Sequence, residues 1–304
     1  MTQAQMQTGE TQPVLVARLA LKKILFATDF SEYSDAAFPF ALALARKYES
    51  KLYAVHVLPG AYPPAMAPDT WSASAELPES QAWKRMAELA SRCGSVPHET
   101  FVPHGNVWAT IAEFIQHQNI DLIVTGTHGR RGIHRLLLGS SAEQIFRGAC
   151  CPVLTVGPRV SEDPERAAEI REILFATAFG PSASAAMSYA FSLAQENEAS
   201  LSLLHVIEDV KAAARDPKQS VAEVLSRLDL MVPSEADLWC RPKTLVEYGP
   251  PAHRILSVAK ERNADVIVLG LKKSGHPAAV SHLPTGTAYQ IVLQASCPVL
   301  TVRA

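Results

Sequence analysis

The sequence predicts an α/β protein made of two tandem domains, each built around an open parallel sheet. Short apolar runs alternate with longer helical stretches, which is the pattern of a parallel sheet covered by helices. The chain has 304 residues, which is long enough for two domains that each bury a core. The pattern also starts again in the second half, where residues 171–179 repeat residues 22–30.

The elements of the first half alternate regularly. Apolar runs too short for a helix predict strands at residues 24–27, 52–58, 98–103, 121–124 and 151–156. The stretches between them predict helices at about residues 34–48, 80–93, 107–118 and 140–148. The proline-rich residues 59–78 are predicted as a loop at the sheet edge that holds Asp29. This loop is either a lid or an ordinary connection.

The second half can be aligned with the first. Residues 201–207 follow residues 52–58 at an offset of 149, and Gly249 and Gly270 follow Gly105 and Gly126 at an offset of 144. The sequence therefore predicts an N-terminal extension at 1–20, a first domain at 21–158, a linker at 159–170 and a second domain at 171–304.

The N-terminal extension fits neither a signal peptide nor a membrane anchor. It lacks an early basic region, and its apolar part at residues 14–21 is short and interrupted by Arg18. Residues 14–17 are predicted to form a short extra strand or a docking arm. No other stretch approaches the roughly eighteen apolar residues of a spanning helix. We therefore expect a soluble protein with no membrane partner.

Charge and cysteine usage narrow the partners and the compartment. Lys and Arg number 28 against 30 Asp and Glu, a net charge of −2, so nothing favours a nucleic acid partner. The five cysteines are scattered and form no CxxC spacing, which indicates a reduced, cytoplasmic setting. The adjacent Cys150 and Cys151 are predicted to be core residues rather than a redox pair, because neighbouring cysteines bridge only with strain.

The loop after the fourth strand carries the clearest functional signal. It begins at Gly126 and ends at Gly139 and Ser140, where a helix opens. Such a junction presents unpaired backbone N–H groups and the positive end of a helix dipole, and its glycines let a phosphate approach the backbone. The pattern predicts a phosphate site. A structural interpretation is compatible with it, because Ser140 with Glu143 fits a capping box.

The spacing G-x2-G-x9-G-S resembles the nucleotide loop of the universal stress protein family, and Gly126, Gly129, Gly139 and Ser140 match it without a gap. The first strand also ends in Asp29, as is typical of that family, and the second and closing strands are similar to its strands. The resemblance covers nearly the whole chain after about residue 20, as a tandem of two such domains. It implies a Rossmann-like, adenine nucleotide alpha hydrolase-like fold for each domain.

The resemblance also implies an ATP site in the first domain. Asp29 would accept hydrogen bonds from the ribose hydroxyls, and the backbone at Val57 would pair with the adenine edge. The phosphates would be held by Gly126, Gly129, Gly139, Ser140 and Ser141, with Thr28 and His128 as neighbours. Mg²⁺ or Mn²⁺ could accompany the phosphates, without a dedicated cage. Without the resemblance, Asp29 would be interpreted as a helix cap ahead of Ser34.

The second domain is predicted to have lost this site. Ala178 stands in the place of Asp29 and Lys273 in the place of Gly129, and the loop is longer. Aligned from Gln290, the residues at the helix start are Thr285, Gly286 and Thr287, which shifts the glycine by one position. We therefore expect about one ATP site per chain.

The predicted function is ATP binding by a cytoplasmic stress-response regulator, with no catalytic residue and no metal ligand assigned. Two alternatives stay open, a slow ATP hydrolase or phosphotransferase and an interaction module that binds no nucleotide. His56 and His205 recur in the second strand of each copy and are predicted to be structural, because no carboxylate or cysteine lies at ligand spacing.

The two domains are predicted to pack on each other. Both copies end in an apolar strand, at residues 152–156 and 298–302, and exposed apolar edges tend to be covered. By resemblance to the family, these strands should meet in an internal pseudo-dimer. Whole chains are expected to pair again as a homodimer.

Overall fold

Ten strands form one continuous sheet that runs through both halves of the chain. The computed structural model describes residues 19–60, 78–127, 138–160, 169–208, 217–272 and 286–303. From one edge to the other, its strands are Lys243–Tyr248, Ser200–Ile207, Glu172–Ala176, Val266–Leu271, Val299–Arg303, Val153–Val156, Leu122–Gly126, Lys23–Ala27, Lys51–Val55 and His98–Phe101. Two short strands, Leu58–Pro59 and His104–Gly105, form a separate sheet. Each half contributes five strands to the large sheet, as the internal repeat predicts.

The elements of the first half are bounded as follows. Its strands are β1 (Lys23–Ala27), β2 (Lys51–Val55), β3 (Leu58–Pro59), β4 (His98–Phe101), β5 (His104–Gly105), β6 (Leu122–Gly126) and β7 (Val153–Val156). Its helices are α1 (Glu32–Lys47), α2 (Pro78–Cys93), α3 (Val107–Gln118) and α4 (Ser140–Gly148).

The second half repeats this order. Its strands are β8 (Glu172–Ala176), β9 (Ser200–Ile207), β10 (Lys243–Tyr248), β11 (Val266–Leu271) and β12 (Val299–Arg303). Its helices are α5 (Ala183–Asn197), α6 (Pro217–Asp229), α7 (Pro251–Glu261) and α8 (Thr287–Gln294), with a 3-10 turn at Ala236–Leu238 between α6 and β10.

The strands within each half are parallel, and the halves meet at one antiparallel pair. β1 lies between β2 and β6, and β8 lies between β9 and β11. β7 pairs with β12 antiparallel, with Leu154 opposite Leu300. These two leucines are equivalent in the repeat, so a pseudo-twofold axis passes through this pair. The predicted contact between the closing strands is therefore confirmed.

The apolar runs form strands because both faces of the sheet are covered. On one face, a cluster that includes Phe26, Phe38, Phe175 and Phe191 joins α1 and α5 across the two halves. On the other face, one cluster packs α3 against the first half and another packs α7 and α8 against the second. Leu19, the first described residue, also contacts the second half, because its N–H donates to Ser192 Oγ at 2.8 Å.

Two expectations about the first half need correction. The second strand ends at Val55, and its predicted last residue, Leu58, begins the short β3 that pairs with β5. Cys151 is half-buried, and burial raises its pKa to about 12, which fits a packing role. Cys150 is exposed, so the core interpretation was wrong for that residue.

Candidate functional site

The candidate site lies at the carboxyl ends of the first-half strands, where the strand order reverses. The chain passes from β1 to β2 on one side, and β6 lies on the other. A crevice forms at such a reversal in parallel sheets, and ligands bind there. Backbone hydrogen bonds continue past the strand ends, from Thr28 N to Val55 O at 3.0 Å and from Thr127 N to Val156 O at 3.1 Å. Asp29, Val57 and Thr127 therefore follow neighbouring strands at one edge.

Asp29 opens the turn between β1 and α1. Its Oδ1 accepts hydrogen bonds from the Ser31 N–H at 3.1 Å and from Ser31 Oγ at 2.6 Å. Ser31 is the N-cap of α1, because its side chain accepts from the Ser34 N–H at 3.2 Å. The helix-cap interpretation of Asp29 is therefore wrong: Ser31 caps the helix, and Asp29 orients Ser31. The partly exposed Asp29 stays at the sheet edge.

Thr28 supports this turn from inside the protein. Its side chain is buried, and its Oγ1 accepts from the Phe30 N–H at 2.9 Å and lies 3.0 Å from Ser34 Oγ. The bond to Phe30 stabilises a left-handed backbone, with φ of 59° at that residue. The side chain of Thr28 therefore shapes the turn that carries Asp29.

His56 also belongs to the supporting structure. Its Nδ1 is 2.9 Å from the Thr28 carbonyl oxygen, its ring is buried, and the ring centroid lies 4.4 Å from that of Phe30. The guanidinium of Arg85 also lies over the Phe30 ring, 4.9 Å from its centroid, and Arg85 Nη2 donates to the Phe30 carbonyl at 2.9 Å. These contacts agree with a structural histidine.

Val57 presents backbone groups to the crevice. The N–H groups of His56 and Leu58 donate to Phe101 O at 3.0 Å and to Pro103 O at 2.8 Å, on the β4 side. In an extended segment, the backbone groups of successive residues point to opposite sides. The N–H and C=O groups of Val57, which lies between these two residues, therefore point toward the β1 side, where Asp29 lies. A planar ring held there could form edge-on hydrogen bonds with the main chain.

Gly126 has a packing role that the sequence did not suggest. A Cβ at this position would lie 2.4 Å from the Tyr33 carbonyl oxygen and 3.0 Å from the Ser34 nitrogen, both on the backbone of α1. The first turn of α1 therefore comes so close to β6 that only glycine fits. This close approach explains Gly126 without any ligand.

The start of α4 carries no side-chain cap among the described residues. Gly139 is the N-cap and Ser140 is the first helical residue, so the Ser140 hydroxyl does not cap the helix. Glu143 Oε1 instead accepts from Arg147 Nε at 2.8 Å, and the predicted capping box is wrong. The first-turn N–H groups of a helix have no intrahelical acceptor, so the end that Ser140 and Ser141 open is suited to an anion.

One hydrogen bond ties this helix start to the end of β6. The Gly139 N–H donates to the Thr127 carbonyl at 2.9 Å. The N-terminal end of α4 is thereby fixed at the same sheet edge as Asp29 and Val57. The predicted site residues His128 and Gly129 lie outside the described residues, as do most of the proline-rich loop and Lys273.

Two residues of this edge were missed at the sequence level, Ser31 and Thr127. Ser31 was detectable, because Asp-x-Ser ahead of a helix is typical of a side-chain turn followed by an N-cap. Thr127 gave no such signal, because its part is played by its backbone, and which backbone groups meet depends on the sheet.

Two features are absent from the segments that the structure describes. Among the residues in those segments, no group of three or more His, Cys, Asp or Glu is arranged to hold a metal ion. Within the same segments, no helix combines the length and apolar character needed to cross a bilayer.

Comparison with known proteins places the chain in a family. The model of the universal stress protein family matches residues 20–157 and again residues 169–303. A universal stress protein of Methanocaldococcus jannaschii is 34% identical over 139 residues, covering 44% of this chain and 81% of that protein. A universal stress protein A homolog of Coxiella burnetii is 34% identical over 142 residues, covering 44% of this chain and 94% of that protein.

A solved structure extends the likeness to both halves at once. The universal stress protein from Archaeoglobus fulgidus DSM 4304 covers 94% of this chain and 99% of its own, with a TM-score of 0.67 and 17% identity. That level of identity supports the fold alone, and the two family matches carry the assignment. The chain therefore belongs to the universal stress protein family, as a tandem of two of its domains.

Proposed function

We propose that the first copy binds ATP and that the protein acts as a stress-response regulator through this binding. The observation that carries the proposal is the start of α4, which no side chain of the described residues caps. The bond from Gly139 N to Thr127 O joins it to the sheet edge that holds Asp29 and Val57. An anion-binding helix end, a carboxylate and main-chain groups at a sheet crevice together match the phosphates, the ribose and the base of a nucleotide.

Each group has a distinct part in the proposed complex. The N–H groups that open α4, at Ser140 and Ser141, would face the phosphates together with Gly129. The partly exposed Asp29 would accept from the ribose hydroxyls, and Ser31 would hold its carboxylate in place. A carboxylate is a strong acceptor for hydroxyl donors, which favours a ribose in this position. If a Mg²⁺ or Mn²⁺ ion binds, it would come with the phosphates.

The test is titration calorimetry of the pure chain with ATP. We expect about one site per chain, because the second copy has a different loop and lacks the Asp29 carboxylate. Gly129→Val should weaken binding by at least tenfold, because a branched side chain would obstruct close phosphate approach. Following released phosphate in the same samples should show binding without turnover.

The matched control places the same side chain at the aligned position of the second copy. Lys273→Val should leave ATP affinity unchanged, since that loop is not expected to hold the nucleotide. Unchanged affinity in a folded Gly129→Val protein would overturn the assignment. A stoichiometry near two that falls in Lys273→Val would show that the second copy binds as well.

A further inference from the structure

The second copy makes hydrogen bonds at both ends of α4, the helix whose start is the proposed phosphate site. At the N-terminal end, the buried Leu138 N–H donates to Tyr289 Oη at 3.0 Å, and Tyr289 is a buried residue of α8. At the C-terminal end, the carbonyl of Phe146 accepts from the guanidinium of Arg303, at the end of β12. Arg303 also donates to Lys272 O at 2.9 Å, which anchors it in the second copy.

The apolar contacts of α4 are also shared between the two copies. Leu138, Ala142 and Phe146 belong to a buried cluster made mostly of second-copy residues, including Tyr289. Ile145 instead packs into the cluster of its own copy. The helix therefore lies between the two copies and depends on the second for much of its packing.

The contact with Tyr289 is adjacent to the groups that would meet the phosphates. The N–H of Leu138 is bound to Tyr289 Oη, and the next N–H, of Gly139, is bound to Thr127 O at 2.9 Å. The following N–H groups, of Ser140 and Ser141, open the helix. Two consecutive backbone donors are thus anchored immediately before the groups that point to the candidate site, one of them by the other copy.

Arg303 supports the opposite end electrostatically. A cation near the last carbonyls of a helix complements the negative end of its dipole. Burial lowers the pKa of this guanidinium, and the nearby Arg147 lowers it further. The guanidinium is partly buried at the end of β12, and partial burial strengthens its attraction to the Phe146 carbonyl.

The residues aligned with Leu138 and Tyr289 in the repeat differ from them in chemistry. In the repeat, Glu143 is aligned with Tyr289, and its Oε1 accepts from Arg147 at 2.8 Å. Pro284 is aligned with Leu138, and a proline has no N–H to donate. By this alignment, the second copy has no N–H at the position that corresponds to Leu138.

We propose that Tyr289 and Arg303 are positioning residues for the nucleotide site of the first copy. The second copy holds α4 so that its first-turn N–H groups receive the phosphates, and it thereby contributes to a site it does not contain. This inference rests on the proposed ATP binding by the first copy.

The test is Tyr289→Phe, which removes the hydroxyl and keeps the ring. The variant loses one buried hydrogen bond that holds the start of α4, where the phosphate-binding N–H groups lie. ATP affinity measured by titration calorimetry should therefore fall about fivefold. Affinity for adenosine, which has no phosphate, should not change. Exchange of the Leu138 amide hydrogen should become faster, because its acceptor has been removed.

The matched control is Tyr248→Phe, also in the second copy. The Tyr248 hydroxyl is buried and has no hydrogen-bond partner among the residues that the structure describes, so ATP affinity should be unchanged. Arg303→Met tests the other end of α4 and should weaken ATP binding without weakening adenosine binding.

The outcomes separate this inference from the proposed function. A wild-type chain that does not bind ATP would remove the proposed function and this inference with it. ATP binding that is as tight in Tyr289→Phe and Arg303→Met as in the wild type would overturn the positioning roles alone. So would an equal loss for ATP and adenosine, which would indicate only a general loss of stability.

Discussion

The turns that follow β1 and β8 share a left-handed phenylalanine but differ in their polar groups. In the first copy, Thr28 Oγ1 accepts from the Phe30 N–H at 2.9 Å, and in the second, Thr177 Oγ1 accepts from the Phe179 N–H at 3.0 Å. Both phenylalanines are left-handed, with φ of 59° and 55°. Up to this phenylalanine, the backbone is therefore alike in both copies, and the helix then begins at Glu32 in the first copy and at Ala183, two aligned positions later, in the second.

The rings around the turn are repeated as well. The Nδ1 atom of His56 lies 2.9 Å from the Thr28 carbonyl oxygen, and that of His205 lies 2.8 Å from the Thr177 carbonyl oxygen. Their rings lie 4.4 Å and 4.7 Å from the phenylalanine rings, and a guanidinium covers each phenylalanine, from Arg85 and Arg227 respectively.

The two copies differ in two residues that flank the phenylalanine. Asp29 and Ser31, which are bonded to each other, are replaced by Ala178 and Gly180. Because the second copy forms the same left-handed conformation at its phenylalanine without a carboxylate, that conformation does not require one. The Asp29 carboxylate is therefore not needed for this local structure, which favours a role in binding a ligand.

The strand-end glycines, in contrast, are the same in both copies. Gly126 and Gly270 both survive, and a Cβ at Gly270 would lie 2.8 Å from the Ser182 carbonyl oxygen. In both copies, the glycine allows the first turn of a helix to approach the strand. The survival of Gly270 therefore says nothing about nucleotide binding in the second copy.

The largest expected effect is a loss of stability, and it tests the close packing at these two glycines. Gly126→Ala should destabilise the chain by about 3 kcal/mol, because the new methyl group meets backbone atoms that cannot move aside alone. Gly270→Ala should cost somewhat less, since its closest approach is longer. Urea unfolding of both variants measures the difference. A cost below about 0.5 kcal/mol for Gly126→Ala would contradict the packing explanation.

The next effect concerns the carboxylate that only the first copy has. Asp29→Asn keeps an oxygen for Ser31 but removes the charge, so ATP affinity should fall about tenfold while stability changes little. Titration calorimetry and thermal unfolding measure the two quantities.

The reciprocal change is the control for Asp29. Ala178→Asp should create no second ATP site, because the second loop also differs in length and in its glycines. A second site in that variant would mean that the carboxylate alone separates the two copies.

The smallest effect concerns Ser31, whose place is taken by Gly180 in the second copy. Ser31→Ala removes the α1 cap and should cost about 1 kcal/mol of stability. Ser140→Ala should cost almost nothing, because Ser140 is the first helical residue of α4 and not its cap. Equal costs in urea unfolding would restore the capping box that the structure argues against.

The sequence was most informative where local pattern and global fold agree. The apolar runs at β1, β6 and β7 and the repeat of the whole order predicted the two parallel half-sheets, and the family resemblance predicted that their closing strands meet. The family resemblance was also accessible from the sequence, because the loop spacing around Gly126 and Gly139 is a local pattern. These features depend on residue type and on distance along the chain, which a sequence states directly.

The tertiary structure decided which group each side chain meets. It assigned the α1 cap to Ser31, gave Gly126 a packing reason, and directed Glu143 to Arg147. It also brought Tyr289 to Leu138, 151 residues earlier in the chain. No local pattern could predict that bond, because it exists only once β7 and β12 pair and bring α8 beside α4.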